Sequence, residues 1–153
     1  MRIGTIALAG SAILFVTAAA SANGGAPAAS DPAAIVKGRQ AGMRMSAAVM
    51  SGLKGAIDRG DDVKALAFPA GSIANWAAAI PGMFPEGSNV APTGALPAVW
   101  SDAPGFAAKA AAYQAAATRM ADAAKAGDKP AFAAAFDEVR GACKGCHDSY
   151  KKP

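Results

Sequence analysis

Both cysteines and the single histidine of this chain fall within five residues of one another, Cys143, Cys146 and His147, in the C-terminal stretch "GACKGCHDSY". On a helix, side chains three and four residues apart share a face, so the two thiols lie together and the imidazole turns to the same side. Two thiols that add across two vinyl groups, followed at once by an imidazole that reaches the iron, make the attachment chemistry of c-type haem. Other uses of the same residues fit less well. A thioredoxin-like dithiol sits beside a βαβ pattern, and no stretch here alternates like a strand. A structural zinc site takes four ligands, and only three Cys/His residues exist. A lone disulfide leaves His147 without a role. With one histidine as proximal ligand, bis-histidine ligation within the chain is excluded, and the sixth position falls to methionine, a weaker ligand or none.

Five methionines follow the N-terminal segment: Met43, Met45, Met50, Met83 and Met120. Methionine at helical spacing is usually core filler. Met43 stands apart because Arg39 precedes it by one helical turn on the same face. An inward arginine needs compensation, since an unpaired buried charge costs several kcal/mol, and haem propionates accept bidentate bonds from a guanidinium. Arg39 and Met43 therefore read as one turn laid against the haem, with arginine at the rim and sulfur over the iron. An exposed Arg39 is the plain alternative. Gly38 and Gly42 flank this turn, each costing about 1 kcal/mol of helix propensity relative to alanine, and close approach of backbone to macrocycle would offset that.

The elements that must carry these residues are helical. The first begins at Asp31-Pro32, an N-cap acid with proline in the first turn, and ends at Gly60. Val36, Met43, Met50 and Ile57 repeat every seven residues along it, one apolar stripe of a bundle helix. The second spans Asp61-Asp62 to Pro81, but Pro69 within it removes a backbone donor and predicts a kink or two pieces. Its buried face comprises Leu66, Ile73, Trp76, Ala77 and Ile80. Residues 81–100, rich in proline and glycine, read as irregular, and a connection of that length usually has a function. The third helix starts at "SDAPGF" and stops before Gly127. The fourth is capped by Asp128 and turns Phe132, Phe136, Val139, Cys143, Cys146 and Tyr150 inward. Amphipathic helices with short links define an all-α, antiparallel four-helix bundle.

Residues 1–22 have the form of a cleaved signal peptide: Arg2, an apolar stretch from Ile3 to Ala20, and Ala20-Ser21-Ala22 as the small-x-small cleavage site. A flexible segment, 23–30, precedes the single domain of 31–153. Export places the protein in the periplasm, where unoccupied thiols would oxidise. The net charge of +4 falls by one with Arg2 and contains no basic run, which argues against nucleic acid but permits docking to an acidic protein. No membrane span is expected after cleavage. With 7% aromatic residues, the alanine-rich helices are consistent with a flat macrocycle filling volume that aromatic side chains would otherwise occupy.

These residues resemble the class II c-type cytochromes, the cytochrome c′ family. "KGRQAGM" looks like the family's first-helix haem contact, "IPGMFPEGS" like its loop after the second helix, "LPAVWSD" like its approach to the third, and "CKGCHDSY" like its C-terminal attachment site. The resemblance covers nearly all of residues 31–153 and implies one covalent haem c per chain, no enzymatic activity, redox partner proteins of unknown identity and, in some members, a homodimer through the first two helices. In cytochromes c′ proper, a bulky residue covers a five-coordinate iron that binds NO or CO. In the low-spin branch, a methionine at that position ligates it. Met43 occupies the matching position, so the resemblance implies a low-spin His147/Met43 electron carrier. Pro69 departs from a normally continuous second helix, and Lys151 stands where cytochromes c′ often have arginine.

Overall fold

The computed structural model describes residues 31–153, so the expected signal peptide and the segment 23–30 lie outside the described residues. Helix α1 spans Pro32–Arg59, α2 Ala67–Ala79, α3 Ala98–Ser101, α4 Ala103–Ala126 and α5 Lys129–Tyr150. Helices α1, α2, α4 and α5 form the four-helix bundle.

The ends of these helices follow from local chemistry. Asp31, Asp102 and Asp128 accept hydrogen bonds from the backbone N–H groups of Ala33 (3.0 Å), Gly105 (3.2 Å) and Ala131 (3.0 Å). Each satisfies a first-turn donor that has no helical partner, a contribution of about 1 kcal/mol. Proline stands in the first turn of α1, α4 and α5, where its missing N–H removes nothing. Gly60 (φ 74°) and Gly127 (φ 76°) end α1 and α4 in the left-handed conformation, which glycine adopts without a Cβ penalty.

The second helical stretch is in two pieces, a 3₁₀ turn over Val63–Leu66 and then α2. Pro69 lies in the first turn of α2, so the change of helix type falls just before it and its missing N–H removes no bond of that helix. The irregular reading of 81–100 is corrected at both ends. A 3₁₀ turn covers Ile80–Met83 and α3 covers Ala98–Ser101; Pro81 and Pro97 initiate these turns instead of breaking them. Gly94–Ala95 also pairs with the chain end through an antiparallel bridge between Ala95 and Lys151.

The core lies between α2, α4 and α5. Helix α4 contributes Phe106, Tyr113 and Met120 with a row of alanines, and α5 contributes Phe132, Phe136 and Val139. Close packing is extensive between α4 and α5 and between α2 and α4. Helix α1 differs. It is the longest element at 28 residues yet buries only Val36, Arg39, Leu53 and Ala56, and it packs on α2 and the turn after it while scarcely touching α4 or α5. No residue from Gln40 to Gly52 is buried, so the middle of its apolar stripe is only partly covered by protein.

Candidate haem-binding site

The gap beside α1 is a cavity of about 610 Å³, within the ordinary range for a cofactor site. Its walls include Met43, Ala47 and Met50 from α1, Trp76 from α2 and Tyr113 from α4. Cys143, Cys146 and His147 of α5 line the same cavity, as does Arg39, so all five residues expected from the sequence meet there. The lining is predominantly apolar. It contains no carboxylate, whereas Arg44, Lys109, Arg140 and Lys151 all border it. Among the described residues, no group of three or more His, Cys, Asp or Glu side chains is gathered as if to hold a metal ion.

Both cysteines are unpaired and half-buried. Burial pushes the Cys143 thiol up, and the neighbouring Cys146 adds to this against a smaller backbone hydrogen bond. Burial also raises Cys146, opposed by the nearby charge of Lys109, whose Nζ lies 3.6 Å from the position a Cβ would take on Gly145. Both sulfurs therefore stay as thiols at neutral pH, the form whose S–H bond is consumed on addition to a vinyl group. His147 is pushed below its ordinary value by its surroundings and then by Lys151, with Asp148 acting the other way. A neutral imidazole is the ligating form.

The unfilled stripe on α1, the apolar cavity, two free thiols on its wall and a neutral imidazole beside them fit a covalently attached haem. Cys143 and Cys146 are the residues that would hold it, His147 the one that would reach its iron.

Arg39 is 3% exposed, but its partners are not those expected. Nη1 donates to Ser88 Oγ (2.8 Å) and the Met83 carbonyl (3.3 Å), and Nη2 to the Ser88 carbonyl (2.9 Å) and Thr93 Oγ1 (2.6 Å). The guanidinium carbon also lies 4.6 Å from the Phe84 ring centroid and 5.7 Å from that of Trp100, within cation–π range. Burial lowers its pKa, yet arginine stays charged. Within the protein, neutral oxygens and aromatic faces compensate the charge, while Arg39 also lines the cavity where a propionate would lie.

Gly42 makes a close approach, though to protein. A Cβ there would lie 2.3 Å from Trp76 Cη2, while nothing lies within 4 Å of one on Gly38. The indole thus packs on the α1 backbone beside Met43. Its Nε1 is buried without a hydrogen-bond partner. At the other end of the cavity, Tyr150 donates to Asp102 Oδ2 at 2.7 Å, an acceptor that pushes its phenol up to about 12. The sequence placed Trp76 and Tyr150 on inner faces but did not identify these partners, which lie 34 and 48 residues away.

Fold and site together define a helical-bundle protein of the c-type haem class. Residues 34–151 match the family model described as Cytochrome C'. A cytochrome c′ of Rhodospirillum rubrum is 35% identical over 130 residues, 80% of this chain and 85% of the relative. One from Rubrivivax gelatinosus is 52% identical over 60 residues, 39% of this chain and 46% of the relative; with it and the Alcaligenes relative, the match spans about half the length of the relative. A solved nitric oxide complex of a leucine-to-alanine variant of Alcaligenes xylosoxidans cytochrome c′ superposes with a TM-score of 0.75 at 28% identity, covering 82% of this chain and 98% of that one. A carbon monoxide-bound leucine-to-glycine variant of the same protein superposes equally well, over 81% and 98%. The chain belongs to the cytochrome c′ family, whose cofactor is covalent haem c. No described helix is long and apolar enough to cross a membrane.

Proposed function

We propose that this protein is a cytochrome c′ in the strict sense, a haem protein that binds NO or CO, rather than the low-spin electron carrier that Met43 suggested from sequence. The supporting observation is the likeness, across some four-fifths of the chain, to cytochromes c′ solved as NO and CO complexes. The expectation of His147/Met43 ligation is set aside accordingly. Haem supplies an iron with two accessible oxidation states and an open position for a diatomic ligand.

The chain's own residues do the rest. Cys143 and Cys146 would hold the haem by adding S–H across its vinyl groups, sulfur to one carbon and hydrogen to the other, so that no oxidant or reductant would be needed. His147, neutral and adjacent to Cys146, would be the protein ligand to its iron. Met43 would cover the iron without ligating it, and with Ala47, Met50 and Trp76 it lines an apolar wall that would exclude water and admit small uncharged molecules. Arg44, Lys109, Arg140 and Lys151 at the cavity border suit the anionic edge of a haem and an acidic redox partner. Export to the periplasm rests on residues 1–22, and a homodimer through α1 and α2 on the family resemblance.

The test is the optical spectrum of the ferrous holoprotein with and without CO. High-spin bands that shift on CO addition are expected. Low-spin bands indifferent to CO overturn the reading and restore Met43 as a ligand.

A further inference from the structure

The connection between Met83 and α3 touches both sides of the cavity. On the α1 side it is held by Arg39 through Ser88 and Thr93 and by Gln40, whose Nε2 donates to the Pro92 carbonyl at 2.8 Å. Arg39 is one turn before Met43. On the α5 side, Leu96 N–H donates to the Tyr150 carbonyl and Lys152 N–H to the Gly94 carbonyl, both at 2.9 Å. Lys152 Nζ adds a bond to the Thr93 carbonyl at 3.2 Å. These contacts begin less than one turn beyond His147, and Lys151 N–H still bonds back to the His147 carbonyl at 3.2 Å.

The two sets of contacts meet within residues 92–96. Thr93 joins them: its hydroxyl oxygen accepts from Arg39 and from Ala95 N–H (3.1 Å), while its carbonyl accepts from Lys152. Because α1 scarcely packs on α4 or α5, helix-to-helix contact sets its distance from the His147 side only indirectly, through α2. A short hydrogen-bonded segment anchored at both ends is the direct link between the two sides.

We propose that residues 92–96 are a strap that fixes the spacing between the Met43 turn and the end of α5, with Thr93 as the positioning residue that couples them. Contacts made at the C-terminal end thereby control how closely Met43 covers the cavity and how readily a diatomic ligand enters beside it. The ligand-entry consequence rests on the reading of Met43 and His147 given above, whereas the mechanical coupling does not.

The experiment compares two changes at opposite ends of the strap in the holoprotein. Thr93→Val keeps the shape and removes the acceptor used by Arg39 and Ala95. Deletion of Lys152 and Pro153 removes the Lys152 bonds and touches nothing on α1. Amide hydrogen exchange is followed at residues 40–44, together with the rate of CO association. Both changes are expected to raise exchange at 40–44 by about tenfold, the effect of losing one hydrogen bond's net contribution to a local closing equilibrium. They should alter the CO rate in the same direction, and combining them should add less than the product of the single effects. Thr93→Ser, which keeps the hydroxyl, should restore both readouts. The strap is refuted if the C-terminal deletion raises exchange only at residues 94–96 and leaves 40–44 at the wild-type level. A protein that exchanges as expected but binds no CO retains the strap and sinks only the ligand-binding reading.

Discussion

Gly42→Ala tests the packing of the cavity wall directly. An ideal Cβ at Gly42 stands 2.3, 2.5 and 2.9 Å from Cη2, Cζ3 and Cζ2 of Trp76. Carbon atoms in ordinary contact are about 3.5–4.0 Å apart, so the indole must retreat by more than about 1 Å. It is half-buried between α1 and the cavity, and forced displacement in packed surroundings costs about 1–3 kcal/mol. Replacing a mid-helix glycine by alanine returns about 1 kcal/mol, so the net change ranges from nearly neutral to about 2 kcal/mol destabilising. Gly52→Ala on the same helix is the control: a Cβ there has nothing within 4 Å, and the change should stabilise by about 0.5–1 kcal/mol. Urea unfolding of the two holoproteins, followed by circular dichroism, should therefore separate them by about 1–3 kcal/mol. Tryptophan emission should change only in Gly42→Ala, and because the indole shares a wall with Met43, CO association should change with it. If Gly42→Ala is as stable as Gly52→Ala and its emission is unaltered, the packing of Trp76 on α1 is refuted, and with it the description of that wall.

Met43→Ala should leave the ferrous spin state unchanged and raise the CO association rate by about tenfold, equivalent to about 1.4 kcal/mol of barrier; a change from low-spin to high-spin bands would instead identify Met43 as a ligand. Phe132→Ala removes a fully buried ring on α5 and should destabilise by about 3–5 kcal/mol in urea unfolding, and a loss below 1 kcal/mol would displace Phe132 from the core. Tyr150 is raised to about 12 by its bond to Asp102, above the ordinary tyrosine value of about 10. The neutral phenol is the form that donates, so this contribution to stability is complete below about pH 10 and is lost as pH rises towards 12. Tyr150→Phe should remove that part of the alkaline loss, read as the difference between the two proteins' stability curves; identical slopes above pH 10 would show that the bond to Asp102 does not form.

The parts of the fold that could be read from sequence are those whose chemistry is local. Asp31, Asp102 and Asp128 each bond to an N–H two or three residues ahead, and Gly60 and Gly127 close helices with their own φ angles. Such features need no knowledge of the rest of the chain. That Cys143, Cys146 and His147 would stand together was legible for the same reason, since they sit within one and a half turns of one helix. The short helix at Ala98–Ser101 was not, because a proline-rich run does not reveal which prolines start a turn and which prevent one.

Arg39 marks the boundary between the two kinds of inference. Helical periodicity placed it on the inner side of α1, and the structure buries it there. Its partners Ser88 and Thr93 are 49 and 54 residues away, and no spacing rule points to them. Several neutral oxygens and two aromatic faces compensate the guanidinium within the protein, because what burial demands is acceptors in the right geometry, and a haem propionate would add to them. Met43 shows the complementary limit. The repeat of Val36, Met43, Met50 and Ile57 tells which side of α1 faces inward, but Val36 is buried by protein while Met43 and Met50 face a cavity. A periodic stripe reports direction and not what it will meet. What fills the space that α1 leaves against α4 and α5 is implied by the residues that line it, and on the reading proposed above the role of Met43 depends on how closely the residues tied to Thr93 hold that helix in place.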